Sequence, residues 1–298
     1  MKLRIALEHT FKELALPNIV KSLEVDFDAA VLGHDSIHEF MWLATIFLPG
    51  GRGWHARSAF LTYHQEIFHS AHRSFYESLC GSYNTAFVLL RSSLEMILYG
   101  AFYECLAHEK FRERCNTLRR NQRGKKLVGF LEAVFDRAPS RGDDLEKVSG
   151  GIFDILAPLI VELRPPVKTV LCQLSDWGIL RSIDDPITTA YQIYGRLSEE
   201  VHVLPDRTDI GRRLLLKPEK LLEEHLVMPE HLREHLDLLH QVIDVGTVVL
   251  ANILRKEPLE YEVKLGLQTR LKDPDFQRLR LTQAAKRIEE FVAQIGIC

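Results

Sequence analysis

The stretch Ala86-Phe-Val-Leu-Leu-Arg-Ser-Ser-Leu-Glu-Met-Ile-Leu-Tyr-Gly-Ala-Phe-Tyr103 decides how the chain is read. By length and hydropathy it passes for a membrane span. Arg91 and Glu95 argue otherwise, because charges at mid-bilayer are costly whereas a protein core can pair them one helical turn apart. Ala86, Leu90, Leu94, Ile97, Ala101 and Cys105 recur at helical spacing, and Phe87, Leu98 and Phe102 widen the apolar surface. The expectation is a buried central helix over 82–107, with no membrane partner.

Working outward, the same three-and-four spacing predicts a second long helix over 57–79, with Gly81 as the natural break between the two. Further amphipathic segments cover 125–136, 144–163 and 166–176, separated by Pro139-Ser-Arg-Gly-Asp and by Pro165-Pro166. Asp185-Pro186 opens another helix, since Asp caps well and Pro suits the first helical position; Pro205 biases Leu204 to extended geometry and ends it near Val203. Shorter pieces lead to a long helix from about Glu230 to Lys256, with Leu232, Leu236, Leu239, Ile243, Val249 and Leu250 as core. Asp273-Pro274 starts a last helix through Ile295.

Three short stretches alternate instead: Leu3, Ile5, Leu7; Leu23, Val25, Phe27; and Tyr261, Val263, Leu265, Leu267. They read as strands, and the first and last pair as a small sheet in the open alternative. The fold class expected is therefore mainly α, a helical bundle with long central helices, with a minor β element joining the termini. The domain organisation read from these signals is an N-terminal extension over 1–56, a helical bundle over 57–256, and a C-terminal extension over 257–298 ending in a helix.

With 298 residues and a formal charge of -3, the chain is long enough for a large core and is not basic enough to be devoted to nucleic acid over its whole surface. A local basic patch remains compatible with phosphate binding. The five cysteines, Cys80, Cys105, Cys115, Cys172 and Cys298, lack zinc-site spacing and read as reduced structural thiols. The first residues do not resemble a secretory signal, so a cytoplasmic location is expected.

Chemistry concentrates in Tyr191-Gln-Ile-Tyr-Gly-Arg-Leu-Ser-Glu-Glu-Val-His202. At 100° per residue, Ile187, Ala190, Tyr194, Leu197 and Val201 form the core stripe, with Arg196 on the polar face and His202 at the stripe's edge beside Tyr191. The last turn of a helix favours a protonated His202, and Glu199 lies one turn back, able to orient either neighbour. A charged imidazole can donate a proton, while the planar fork of Arg196 matches two phosphate oxygens. Such a pair works without a metal or other cofactor.

This segment resembles the motif of the HEPN superfamily, an arginine followed after four to six residues by a histidine; Arg196 and His202 match that spacing. The helix carrying Ala86, Leu89, Leu90, Arg91 and Glu95 is similar to one in uncharacterised defence or toxin-type members, and the likeness covers roughly residues 60–256. The resemblance implies a homodimer in which two motif copies meet, and a metal-independent endoribonuclease cleaving single-stranded RNA in a defence or toxin–antitoxin setting. An antitoxin or other protein partner is implied with it. Carried over, only Arg196 and His202 take roles, the arginine stabilising the phosphate and the histidine carrying the proton; from the residues themselves Glu199 reads as orienting, with Arg91, Glu95 and Tyr191 as the supporting shell. Leu197 after the arginine, and the negative Glu199-Glu200 pair, carry the alternative: a catalytically silent helical module for dimerisation and for binding a partner or nucleotide.

The densest basic run ends in Arg119, Arg120, Arg123, Lys125 and Lys126, which could track an RNA backbone. Two histidine groups, His64, His69 and His72, and His231, His235 and His240, sit at helical spacing. Neither has a metal-binding signature, and both read as polar faces, so no metal is assigned. Gly50-Gly-Arg-Gly53 lacks the Lys-Ser or Lys-Thr of a phosphate loop.

Overall fold

Helix α4, Tyr83–Ala107, is the axis around which the others pack, and α3, Ala59–Cys80, runs back along it. The computed structural model describes residues 16–46, 59–107, 164–180, 186–202, 204–220 and 225–254. In chain order the remaining helices are α1 (Leu16–Val25), α2 (Phe27–Ile46), α5 (Val167–Asp176), α6 (Pro186–Val201), α7 (Asp209–Leu216) and α8 (Pro229–Leu254). Single 3-10 turns lie at Pro205–Arg207 and Pro218–Lys220. No strand occurs among the described residues.

Ala86, Phe87, Leu90, Leu94, Ile97, Leu98 and Ala101 of α4 are fully buried, and they join one core with Ile67 and Ala71 of α3 and the leucines of α8. Burial of each such large side chain contributes about 1.5–3 kcal/mol. Tyr83–Cys105 is the one described segment long and apolar enough to cross a membrane, yet its apolar residues are used up against α3, α6 and α8. Arg91 and Glu95 pair as the spacing required, at 3.1 Å. Leu232, Leu236, Leu239, Ile243, Val249 and Leu250 of α8 are all buried, as their periodicity predicts.

The α3–α4 turn is built on Gly81, whose φ of 87° is left-handed. Its amide bonds to the Ser78 carbonyl at 3.1 Å and the Ser82 amide to the Glu77 carbonyl at 2.9 Å, the paired bonds of a Schellman cap. The last α3 carbonyls are met from α1: Asn18 Nδ2 donates to Cys80 O at 3.0 Å and Ser22 Oγ to Leu79 O at 2.7 Å. An added Cβ at Gly81 would lie 2.9 Å from the Leu226 carbonyl oxygen. Gly81→Ala is accordingly expected to lower stability by about 2 kcal/mol, read as a lower urea midpoint at unchanged slope.

Leu23 and Val25 belong to α1 and Phe27 opens α2, so their alternation is no strand. The reason is Asp26, which separates the two helices and caps the second: its Oδ1 accepts the Ala29 amide at 3.1 Å and its carbonyl the Ala30 amide at 3.1 Å. Period two over three residues cannot compete with a cap. Helices α1 and α2, read as part of an extension, pack on α3 and α8, with Ile37 and Phe40 fully inside. The other two alternating stretches, the segments at 125–136 and 144–163, and the last helix lie outside the described residues.

Candidate functional site

Helix α6 begins at Pro186 and ends at Val201, with Leu204 extended before Pro205, as the two prolines dictate. Its buried stripe is Ala190, Ile193, Leu197 and Glu200, turned by about one residue from the stripe read through Tyr194 and Val201. A carboxylate therefore sits inside. Glu200 is fully buried, and its charge is met by Arg212 of α7, itself 2% exposed, and by Arg196 at 2.9 Å. Asn84 at the start of α4 donates Nδ2 to the Glu200 carbonyl at 3.0 Å. The same residue's amide is capped by Asp209 Oδ1 at 3.1 Å, which also accepts Arg212 Nη1 at 3.2 Å.

Arg196 is held on every side. It bonds Glu199 at 3.2 Å, Glu200 at 2.9 Å and Glu234 of α8 at 2.5 Å, and its guanidinium lies 5.6 Å from the Phe87 ring centroid. Arg212 lies 5.8 Å from the same ring. Burial works against the Arg196 cation, but Glu200 and Glu234 outweigh it and raise its pKa above the ordinary arginine value. His231, its Nδ1 3.7 Å away, and then the charge of Arg196 hold Glu234 down at about 2 against the effect of burial. Arg207 adds a third cation, 3.1 Å from Glu199. Arg196, Arg207 and Arg212 thus face Glu199, Glu200, Asp209 and Glu234, so carboxylates outnumber cations.

His202 stands apart from this network. It is exposed in the turn after α6, its amide still bonded to the Ser198 carbonyl at 3.2 Å, and its ring makes no hydrogen bond among the described residues. Glu199 is exposed and, among the described residues, pairs with arginines alone.

Arg91, Glu95 and Tyr191 line a different feature. Between α4, the start of α5 and α6 lies an open cleft of about 480 Å³. Arg91 donates to Tyr194 OH at 2.8 Å and to Glu95 at 3.1 Å, with its guanidinium 4.9 Å from the Tyr194 ring. Arg164 pairs with the same Glu95 and lies 4.7 Å over Tyr99. Lys168 Nζ sits 5.8 Å from the exposed Tyr191 ring, and Tyr191 stacks on Tyr194 with centroids 6.3 Å apart. Arg91 and Arg164 thus share one carboxylate and Lys168 adds a further cation, leaving surplus positive charge beside an aromatic wall. Arg91 and Glu95 bond to Tyr194 and Arg164 rather than to Arg196 or His202.

Sequence reasoning passed over Arg164, Lys168, Arg212 and Glu234, which come from other segments. Pro165-Pro166 was readable as a break, and in the fold it presents the cations on both sides of it to the cleft. Arg119, Arg120, Arg123, Lys125 and Lys126 lie outside the described residues. Of the histidine groups, His64 is buried and bonded to the Phe40 carbonyl at 3.1 Å, His69 contacts Gln65 at 3.0 Å, and His235 contacts Ser74 at 2.7 Å. Cys80, Cys105 and Cys172 form no disulfide among the described residues. Comparison with known proteins finds no matching family model, no matching curated protein and no matching solved structure.

Proposed function

We propose that this chain is a catalytically silent, HEPN-like helical module that binds a nucleotide phosphate in the cleft between α4, α5 and α6. The observation that carries this reading is the saturation of Arg196 by Glu199, Glu200 and Glu234. A phosphate approaching Arg196 would have to displace carboxylates and meet their repulsion, so the arginine serves the fold. The neighbouring cleft has the opposite balance. Lys168 and Arg164 are exposed at its rim for phosphate oxygens, and the Tyr191 face is open to a base.

Equilibrium binding of a fluorescent adenine nucleotide tests this. Saturable binding that Lys168→Ala weakens roughly tenfold is expected, since a lost charge-assisted contact is worth about 1.5–3 kcal/mol. Lys168 is exposed and in no ion pair among the described residues, so the change leaves the fold alone. Absence of binding, or equal binding by the variant, would remove the reading.

The exposed ring of His202, one residue past the end of α6 and beside its C-terminal carbonyls, favours a second reading, the metal-independent ribonuclease. Single-stranded RNA incubated with the chain and EDTA distinguishes the two. The silent module yields no 2',3'-cyclic ends; cyclic ends that vanish in His202→Ala would establish the nuclease instead.

A further inference from the structure

Away from the α6 cluster and the cleft, α2 and α3 bring together histidines that are 38 residues apart or less in sequence. His34 and His38 are four apart on α2 and so lie on one face a turn apart. His72 of α3 meets them. Each of the three has a ring nitrogen within 4.8 Å of those of the other two. Their ring centroids are 4.4 Å apart for His34 and His38, and 5.6 Å from His72 to each. His38 and His72 make no hydrogen bond among the described residues, while Asp35 Oδ1 lies 3.4 Å from His34 Nδ1.

We propose that His34, His38 and His72 form a Zn²⁺ site bridging α2 and α3. Imidazole is a favoured ligand of this ion, and tetrahedral Zn–N bonds of about 2.0–2.1 Å place ligand nitrogens about 3.3 Å apart. Rotation of the side chains closes the remaining distance: His38 is exposed and the other two are half-buried, so none is locked. A proton on His34 Nδ1 facing Asp35 leaves Nε2 to ligate, the carboxylate-to-histidine support common around zinc. Three protein ligands leave the fourth position to water or an anion. Phe68 and Phe75 pack against the rings, 5.3 Å from His38 and 5.9 Å from His34, and give the site an apolar flank. Sequence spacing alone could not reveal it, because His72 falls in the group with His64 and His69, whose rings turn elsewhere.

The test uses the untagged full chain, stripped with EDTA and titrated with Co²⁺ as a spectroscopic probe, then with Zn²⁺ in competition. One ion per chain at micromolar or tighter affinity, with the visible absorption of tetrahedral Co²⁺, is expected. His38→Ala and His72→Gln should each weaken binding at least ~100-fold, since loss of mere supporting partners costs 10–100-fold. His69→Ala, the exposed neighbour on α3, should bind as wild type. Circular dichroism of each variant checks the fold, and exposed His38 is the position least able to disturb it. No saturable binding at micromolar Zn²⁺, or equal affinity in His38→Ala and His69→Ala, would overturn the site.

Discussion

Glu200→Ala is expected to destabilise the chain by about 3–5 kcal/mol, more than any other single change to the charged network. The wild-type carboxylate is fully buried and is shared by Arg212, which is 2% exposed, and Arg196. Its removal leaves the Arg212 guanidinium in the core with Asp209 alone, and burial of an under-paired charge is what makes such a deletion costly. The Asn84 bond to the Glu200 backbone carbonyl survives, so the loss is that of the side chain. Glu199→Ala provides the control one residue away. Glu199 is 47% exposed and pairs only at the surface, where an ion pair is worth about 0–1 kcal/mol. Urea unfolding of the two variants should separate them by several-fold in lost stability, and equal losses would show that Glu200 is not the buried member of the pair.

Acidification from neutral pH should destabilise the fold starting near pH 6.5, well above the range where carboxylates titrate. His235 is fully buried, and burial pushes its pKa down from 6.5 to about 3. Ser74 explains the direction. Its hydroxyl donates to the Ala86 carbonyl at 2.7 Å and so accepts from His235 Nε2, also at 2.7 Å. The neutral Nε2–H tautomer is therefore the folded one, and Nδ1 has no hydrogen-bond partner among the described residues. Protonating Nδ1 would bury an unpartnered cation. Above pH 6.5 the ring is neutral folded or unfolded, and it adds no pH dependence. Below it the unfolded chain binds a proton that the folded one refuses, so stability falls by up to about 1.4 kcal/mol per pH unit until about pH 3. Burial shifts His240 the same way. Glu234, held at about 2, adds its own loss only as pH falls below about 4.5. Thermal melts between pH 7.5 and 5 should show the slope in wild type and a shallower one in His235→Leu; parallel curves would exclude His235 as its source.

The helices that carry these groups were legible because helix formation is written locally. The spacing of Leu232, Leu236, Leu239 and Ile243, the left-handed Gly81, and the prolines at 186 and 205 each act within a turn or two of themselves. Arg91 and Glu95 were readable as a pair for the same reason, being four apart on one helix. The α1–α2 boundary at Asp26 was readable in principle, and was lost only because three alternating apolar residues happened to straddle it.

The site divides along the same line. That Arg196 and Glu199 sit on one helix, with His202 just past its end, followed from Pro186 and Pro205 alone. That Arg196 spends its charge on Glu200 and Glu234, that Arg164 and Lys168 meet Arg91 across 70 or so residues of chain, and that His72 meets His34 and His38, followed only from packing. Pattern tells which residue faces inward, not which charge from another helix will meet it there, and that second choice decides whether an arginine is free for a ligand or belongs to the core. The sequence by itself determined the helices and their ends, because those are short-range steric and hydrogen-bond preferences. The tertiary structure decided what the helices' charges do, because electrostatic partners are chosen by proximity in space.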